Sequence, residues 1–265
     1  MPVPANRFKR AITAGSPQIG LWLNTAAAIP AEIAGRAGFD WLVIDGEHGP
    51  NDLSTIREQL QALSGSSAEP VVRPPMGETW MIKQLLDLGA RTLLVPMVDT
   101  PEQARQLVRA MRYPPNGVRG VGAMVARASG FGAVPDYVES AEAELCLLVQ
   151  IESLQAVENI ESIAAIDGID GLFIGPADLS ADMGHRGRLD HQDVRATISD
   201  AITRIVATGK PAGILTFDEK LNRECLDLGA TFVAVGGDVT EFAGALRRLA
   251  ARYGRADAID GPASY

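Results

Sequence analysis

The chain has 265 residues, 46% of them hydrophobic and 22% charged, with a net charge of -9 and a mean hydropathy near zero. That balance is ordinary for a globular protein of one large or two small domains, and it disfavours a nucleic-acid or anionic-membrane partner. No apolar run reaches the ~18 residues of a membrane span, and the first residues lack the apolar core of a signal peptide. Cys146 sits in an apolar strand pattern and Cys225 in a helical one. They predict buried thiols rather than a disulfide framework, so a soluble protein of the reducing cytoplasm is expected.

An N-terminal helix is expected first. Short β-rich runs then alternate with helical patterns in chain order: Gln18–Leu23, helix Ala31–Ala37, Trp41–Asp45, helix Leu53–Leu63, Pro70–Arg73, helix Thr79–Leu88, Thr92–Pro96 and helix Pro101–Met111. Next come Cys146–Ile151, helix Leu154–Ile163, Gly171–Gly175, helix Asp193–Thr208, Ala212–Leu215, helix Glu219–Leu228, Phe232–Gly236 and helix Thr240–Arg252. Alternation of this kind predicts parallel βα units, and near-continuous apolar strands are those covered on both faces. Eight such runs predict a (β/α)8 TIM-type barrel, a single domain over residues 1–253. Gly38, Gly89, Gly168, Gly209 and Gly229 each follow a helical pattern, where a left-handed cap stops a helix. The connection Tyr113–Ala143, rich in Gly, Pro and Arg, is long enough to be functional or an interface. Residues 254–265 read as a flexible tail.

In a barrel the reacting groups stand at the carboxyl ends of the strands. There the sequence puts Asp45-Gly46-Glu47-His48-Gly49, Arg73, Gln150 with Glu152, and Gly175-Pro176-Ala177-Asp178-Leu179-Ser180. Parallel neighbours lie about 5 Å apart, so Glu152 and Asp178 can share one hard cation, Mg²⁺ or Mn²⁺, through oxygen. Neither Cys nor a His cluster is positioned for zinc. The competing reading makes each carboxylate a helix cap, His48 a surface residue and Arg73 half of a structural salt bridge. His185 and His191 read mainly as solvated loop residues. None of the four lysines, Lys9, Lys83, Lys210 and Lys220, stands at a strand's carboxyl end, so a Schiff-base mechanism lacks its nucleophile. The turn Val235-Gly236-Gly237-Asp238 could cradle a phosphate or be a plain glycine turn.

Together these segments resemble the class II (metal-dependent) pyruvate aldolases, the family of 4-hydroxy-2-oxoheptanedioate aldolase and 2-dehydro-3-deoxyglucarate aldolase. The resemblance is carried by Ile19-Gly20-Leu21-Trp22, by the stretch from Gly38 to His48, by Pro70-Val71-Val72-Arg73-Pro74 and Thr92-Leu93-Leu94-Val95-Pro96-Met97. It continues in Arg119-Gly120-Val121-Gly122, Val149-Gln150-Ile151-Glu152 and Ile174 to Ser180, all in family order from about Arg7 to about Arg252. It implies a homohexamer with exchanged helices, and a divalent cation (Mg²⁺ or Mn²⁺, with Co²⁺ as a further option) ligated by Glu152 and Asp178. Gln150 would stand beside the cation, and the backbone of Ala177 and Asp178 would face a pyruvate carboxylate. Arg73 would stabilise an enolate. His48 would be the general base, with Asp45 in its loop. Asp87 would be the carboxylate paired with that histidine, although a barrel helix running back from the catalytic face carries Asp87 away from its own site. The reaction implied is reversible cleavage of 4-hydroxy-2-oxo acids to pyruvate, or a related 2-oxo acid, and an aldehyde. The rivals are a lyase acting on a coenzyme A thioester or related acid, for which no basic nucleotide-binding surface is evident, and a non-catalytic barrel that binds a 2-oxo acid.

Overall fold

Eight parallel strands pair in sequence order and close on themselves in the computed structural model, which describes residues 3–255. They are β1 (Gln18–Leu23), β2 (Trp41–Asp45), β3 (Glu69–Arg73), β4 (Thr92–Val95), β5 (Cys146–Ile151), β6 (Gly171–Ile174), β7 (Ala212–Leu215) and β8 (Phe232–Gly237), with β8 paired to β1. The barrel read from the alternation is therefore the observed one, within a residue or two at most strand ends.

Helix α1 (Arg7–Thr13) precedes the barrel, capped by the Asn6 side chain on the Lys9 amide. Around the strands stand α2 (Ala28–Gly35), α3 (Leu53–Ala62), α4 (Thr79–Asp87), α5 (Pro101–Met111), α6 (Tyr137–Ser140), α7 (Leu154–Glu158), α8 (Ile160–Ala164), α9 (Pro176–Asp182), α10 (Gln192–Ala207), α11 (Glu219–Asp227) and α12 (Asp238–Arg252). The single helix expected over Leu154–Ile163 is two. Asn159 breaks it by turning its amide onto the Asp99 carbonyl at 2.8 Å, which ties the joint to the β4–α5 loop. The twin Leu-Asp-Leu-Gly-Ala endings behave alike: Gly89 and Gly229 adopt φ of +100° and +99° and let the chain leave its helix for the next strand. Residues 256–265, most of the tail expected to be flexible, lie outside the described residues.

Two apolar layers result. One joins strands to helices; the other fills the barrel with Trp22, Trp41, Phe173 and Phe232 and is closed at the amino end of the strands by Phe8 and Ile12 of α1. Phe8 meets the Trp41 ring at 5.3 Å and the Phe232 ring at 5.8 Å. β1 is thinned to admit Trp41, since a Cβ on Gly20 would lie 2.3 Å from that indole.

Because α5 runs back from the carboxyl end of β4, the Tyr113–Ala143 connection lies at the amino end of the barrel, away from the mouth of its own chain. It folds over Arg119, which is fully buried, stacked 4.5 Å from the Tyr113 ring and paired to Asp87 at 2.8 Å. On the outside, α12 buries none of its side chains and shows Val239, Phe242, Leu246 and Leu249, with Tyr253 just beyond, as one apolar row. Among the described residues no helix is long and apolar enough to cross a membrane.

Candidate active site

The mouth is organised by a register pair. Asp45 and Arg73 end β2 and β3 opposite each other, and the guanidinium grips the carboxylate through Nε to Oδ1 (2.9 Å) and Nη2 to Oδ2 (2.7 Å). Asp45 is fully buried. Burial pushes its titration upward, but the hydrogen bonds and charge of Arg73, with the amides of Glu47 and His48, outweigh that and hold it below the ordinary carboxylate range. Asn24, just after β1, donates a further bond to Asp45 Oδ2 at 2.7 Å and is itself fixed by Asp238, whose carboxylate accepts the Asn24 amide at 2.8 Å. Arg73 also lies over the Trp22 ring at 5.4 Å.

Glu152 follows β5, and Asp178 stands in the first turn of α9 beyond β6, the strand paired in parallel with β5. Glu152 is buried, accepting from the Met97 amide at 2.6 Å and from Gln150 Nε2 at 2.7 Å. Met97 reaches it from a left-handed backbone (φ +58°), a conformation that in a non-glycine residue marks a constrained site. Gly175 makes the space: a Cβ there would stand 2.4 Å from Glu152 Oε2. Burial raises Glu152 to about 7, against the Met97 amide and Arg73, with the charges of Asp178 and Glu47 adding to the rise.

Glu47 is the residue that sequence reasoning left without a role. Its Oε2 meets Arg73 Nη1 at 2.9 Å, yet its titration is raised, first by burial and then by the charges of Asp45 and Asp178. Its position between Asp45 and His48 was the available signal. Asn24 and Met97 were also missed, because a polar residue after β1 and a backbone amide after β4 carry no motif.

The remaining expectations divide. His48 is at the rim and exposed, its amide donating to Asp45 Oδ1 at 3.3 Å and its Nε2 4.0 Å from Glu47. Pro176 opens α9 without an N–H, so Ala177 and Asp178 carry its first amides, and both residues are exposed to the mouth side of the barrel. Gln150 is buried, its Oε1 accepting from Arg73 at 3.3 Å. Asp87 is not brought to this cluster: it ends α4 at the far end of the barrel on Arg119. The lysines are elsewhere too, Lys9 and Lys210 being spent on the carbonyls of Leu145 and Ile169.

The donor set suits a hard divalent cation. One guanidinium acts on Asp45, Glu47 and Glu152 together, while Asp178 adds negative charge to both glutamates. Oxygen donors with this excess of negative charge are what Mg²⁺ or Mn²⁺ balances. His185 and His191 stand in the loop after α9, as expected, but they are only about a quarter exposed and stack on each other beside Asp193. Three successive turns, with His185 on Ser180, Arg188 on His185 and His191 on Arg188, fold the loop back and bring them together. Spacing alone did not reveal this.

Residues 18–245 match the HpcH/HpaI aldolase/citrate lyase family, and the chain belongs to it. It is accordingly an aldolase, a carbon–carbon lyase. It is 66% identical to the hydroxypyruvate/pyruvate aldolase of Agrobacterium fabrum over 96% of this chain and 95% of that one. It is 51% identical to the 4-hydroxy-2-oxo-heptane-1,7-dioate aldolase of Escherichia coli over 94% and 95% of the two chains. Among solved structures, an HpcH/HpaI aldolase/citrate lyase family protein from Burkholderia cenocepacia superposes with a TM-score of 0.90 at 39% identity, covering 95% of this chain and all of that one.

Proposed function

We propose that the protein reversibly joins pyruvate or hydroxypyruvate to an aldehyde, giving a 4-hydroxy-2-oxo acid, and cleaves such acids in the reverse direction. The observation that carries this reading is the meeting of Glu47 and Glu152 at a guanidinium already committed to Asp45, with Asp178 close enough to add its charge to both glutamates. Glu152 and Asp178 would hold one divalent cation, Mg²⁺ or Mn²⁺ with Co²⁺ as a substitute, and Gln150 would orient Glu152 through their 2.7 Å bond. That cation would supply Lewis-acid polarisation of the bound 2-oxo acid.

The rest is the work of the chain. The amides of Ala177 and Asp178 receive the substrate carboxylate at the start of α9. His48 takes the proton from the carbon next to the keto group. Arg73, preorganised by its fork on Asp45, donates to the developing enolate oxygen. Both oxygens of Asp45 are occupied by Arg73, Asn24 and the Glu47 and His48 amides, so Asp45 acts by holding Arg73 and shaping the His48 turn.

Asp87 belongs to the site of a neighbouring copy in this reading, since it lies at the wrong end of its own barrel. The apolar row on α12 supports such a homo-oligomer, with the hexamer of the resembling family as its form. Two buried unpaired cysteines support a cytoplasmic setting. The test is a retro-aldol assay across 4-hydroxy-2-oxo acids, coupled to detection of pyruvate or hydroxypyruvate, with and without EDTA. Turnover that releases neither product, or that is indifferent to the chelator, overturns the proposal, as does near-normal turnover by Glu152→Ala or Asp178→Ala at low metal.

A further inference from the structure

Away from the mouth, the loop between α9 and α10 gathers two of the chain's three histidines. The imidazoles of His185 and His191 stack with centroids 3.6 Å apart and planes 18° from parallel. His185 Nε2 lies 3.9 Å from Asp193 Oδ2, and His191 Nδ1 lies 3.8 Å from the same oxygen. One ligand atom from each of the three falls within 4.8 Å of the others. Donors held ~2.0–2.1 Å from a tetrahedral zinc stand about 3.3–3.4 Å apart, so closing onto a metal draws Asp193 in by roughly half an ångström and the two imidazole nitrogens by up to roughly 1.4 Å, and it swings the rings out of their stack until both lone pairs meet at the ion.

A second observation points the same way. His191 is the N-cap of α10, a position where Ser, Thr, Asp and Asn are favoured. Its Nδ1 accepts the Asp193 amide at 3.3 Å, which leaves that nitrogen unprotonated and turned toward Asp193. The bond is long and exposed, so a metal can replace it while water takes over the amide. Arg186 and Arg188 of the same loop are exposed to solvent and offset by the equally exposed Asp182 and Asp190.

We propose that His185, His191 and Asp193 form a second metal site, distinct in chemistry from the carboxylate cluster at the mouth. Two imidazoles and one carboxylate select Zn²⁺ or a similar borderline transition ion over Mg²⁺. The ion staples the α9–α10 loop to the first turn of α10, water completing its coordination. A chelator then removes two unlike metals from each chain, one tied to turnover and one to the order of this loop.

Zinc stoichiometry tests it. Full-length protein stripped of metal is titrated with Zn²⁺ by calorimetry, alongside H185A/H191N, in which asparagine keeps the helix cap. The double variant is expected to bind one Zn²⁺ fewer per chain, while its Mn²⁺ binding is unchanged. Wild-type protein loaded with Co²⁺ is expected to show visible bands of a tetrahedral nitrogen-containing site that the variant lacks. The single variant H185A, which leaves the cap untouched, is expected to bind this zinc at least about tenfold more weakly. Equal zinc stoichiometry and equal cobalt spectra in wild type and variants overturn the proposal. Should the mouth hold no metal, the wild type binds one zinc and the double variant none, so the two readings fail separately.

Discussion

Asp45 and Arg73 are joined by two parallel hydrogen bonds across neighbouring strand ends, in a setting where the aspartate is fully buried and the arginine nearly so. A fork of this geometry fixes the guanidinium plane, which a lysine in its place cannot reproduce. Nη1 is left to face Gln150 and Glu47 at the mouth, so the pair behaves as a mount with one arm extended toward substrate.

Arg73→Lys is therefore expected to lower kcat by about 10²-fold, the range seen when a preorganised donor to a developing oxyanion is removed. Steady-state kinetics decide the point: a rise in KM with kcat intact would make Arg73 a binding residue only. Asp45→Asn leaves the guanidinium buried with its main counter-charge gone, and is expected to destabilise the fold by about 3–5 kcal/mol, read as a lower Tm, as well as to slow turnover.

Glu152 gives a pH signature. Its carboxyl titrates at about 7 in the folded protein instead of the ordinary 4.5, so ionising it is unfavourable in the folded state and stability is lost as pH rises through that interval. The loss is of order 3 kcal/mol before relaxation. Glu152→Gln gives up the Gln150 bond at every pH but carries no charge. In metal-free protein its Tm, relative to wild type, is expected to improve from about pH 5 to about pH 8. Saturating Mn²⁺ should raise the wild-type Tm and leave the variant's unchanged. A Tm difference that does not vary with pH would refute the burial argument.

For His48 the informative reaction has no aldehyde in it. Exchange of the pyruvate methyl protons in D₂O measures enolisation alone, and His48→Ala is expected to slow it by ~10²-fold or more. Exchange at the wild-type rate, with aldol addition lost, would move the histidine's role to the aldehyde or its alkoxide.

Asp87→Asn tests the shared site. The asparagine keeps an oxygen acceptor for the buried Arg119 but removes its counter-charge, so a lower Tm is expected, assays are run below it, and alone the variant should be impaired. Mixed with His48→Ala chains under conditions that allow subunits to exchange, independent assortment restores both groups to roughly a quarter of the sites. Recovery of activity on mixing is the expected outcome, and none would return Asp87 to a structural part within its own chain.

How much of this was legible in the sequence follows from the reach of each signal. Period and punctuation act over a few residues, so eight strands, the helices between them and the glycine stops could be read directly, and so could the strand-end positions of Asp45, Arg73, Gln150 and Glu152. Asn159 escaped because its helix break depends on Asp99, far away in sequence. Glu47 was visible in its motif, but its closeness to Asp178 depends on how two separate loops fold over the mouth. The pairing of His185 with His191 arises from three consecutive turns, whose hydrogen bonds are set by backbone conformation rather than by residue type.

The aromatic column inside the barrel has an optical consequence. Trp41 is sealed among Phe8, Phe173 and Phe232, while Trp22 sits beneath the Arg73 guanidinium and Trp80 is exposed on α4. The chain thus carries three indoles in three environments: one dry, one under a charge at the mouth and one wet. Trp22 emission should respond to whatever draws Arg73 toward a ligand, Trp41 should stay silent until the barrel itself opens, and Trp80 can be silenced by an external quencher. Loading of the mouth and melting of the fold can then be followed as separate colours in one unlabelled sample.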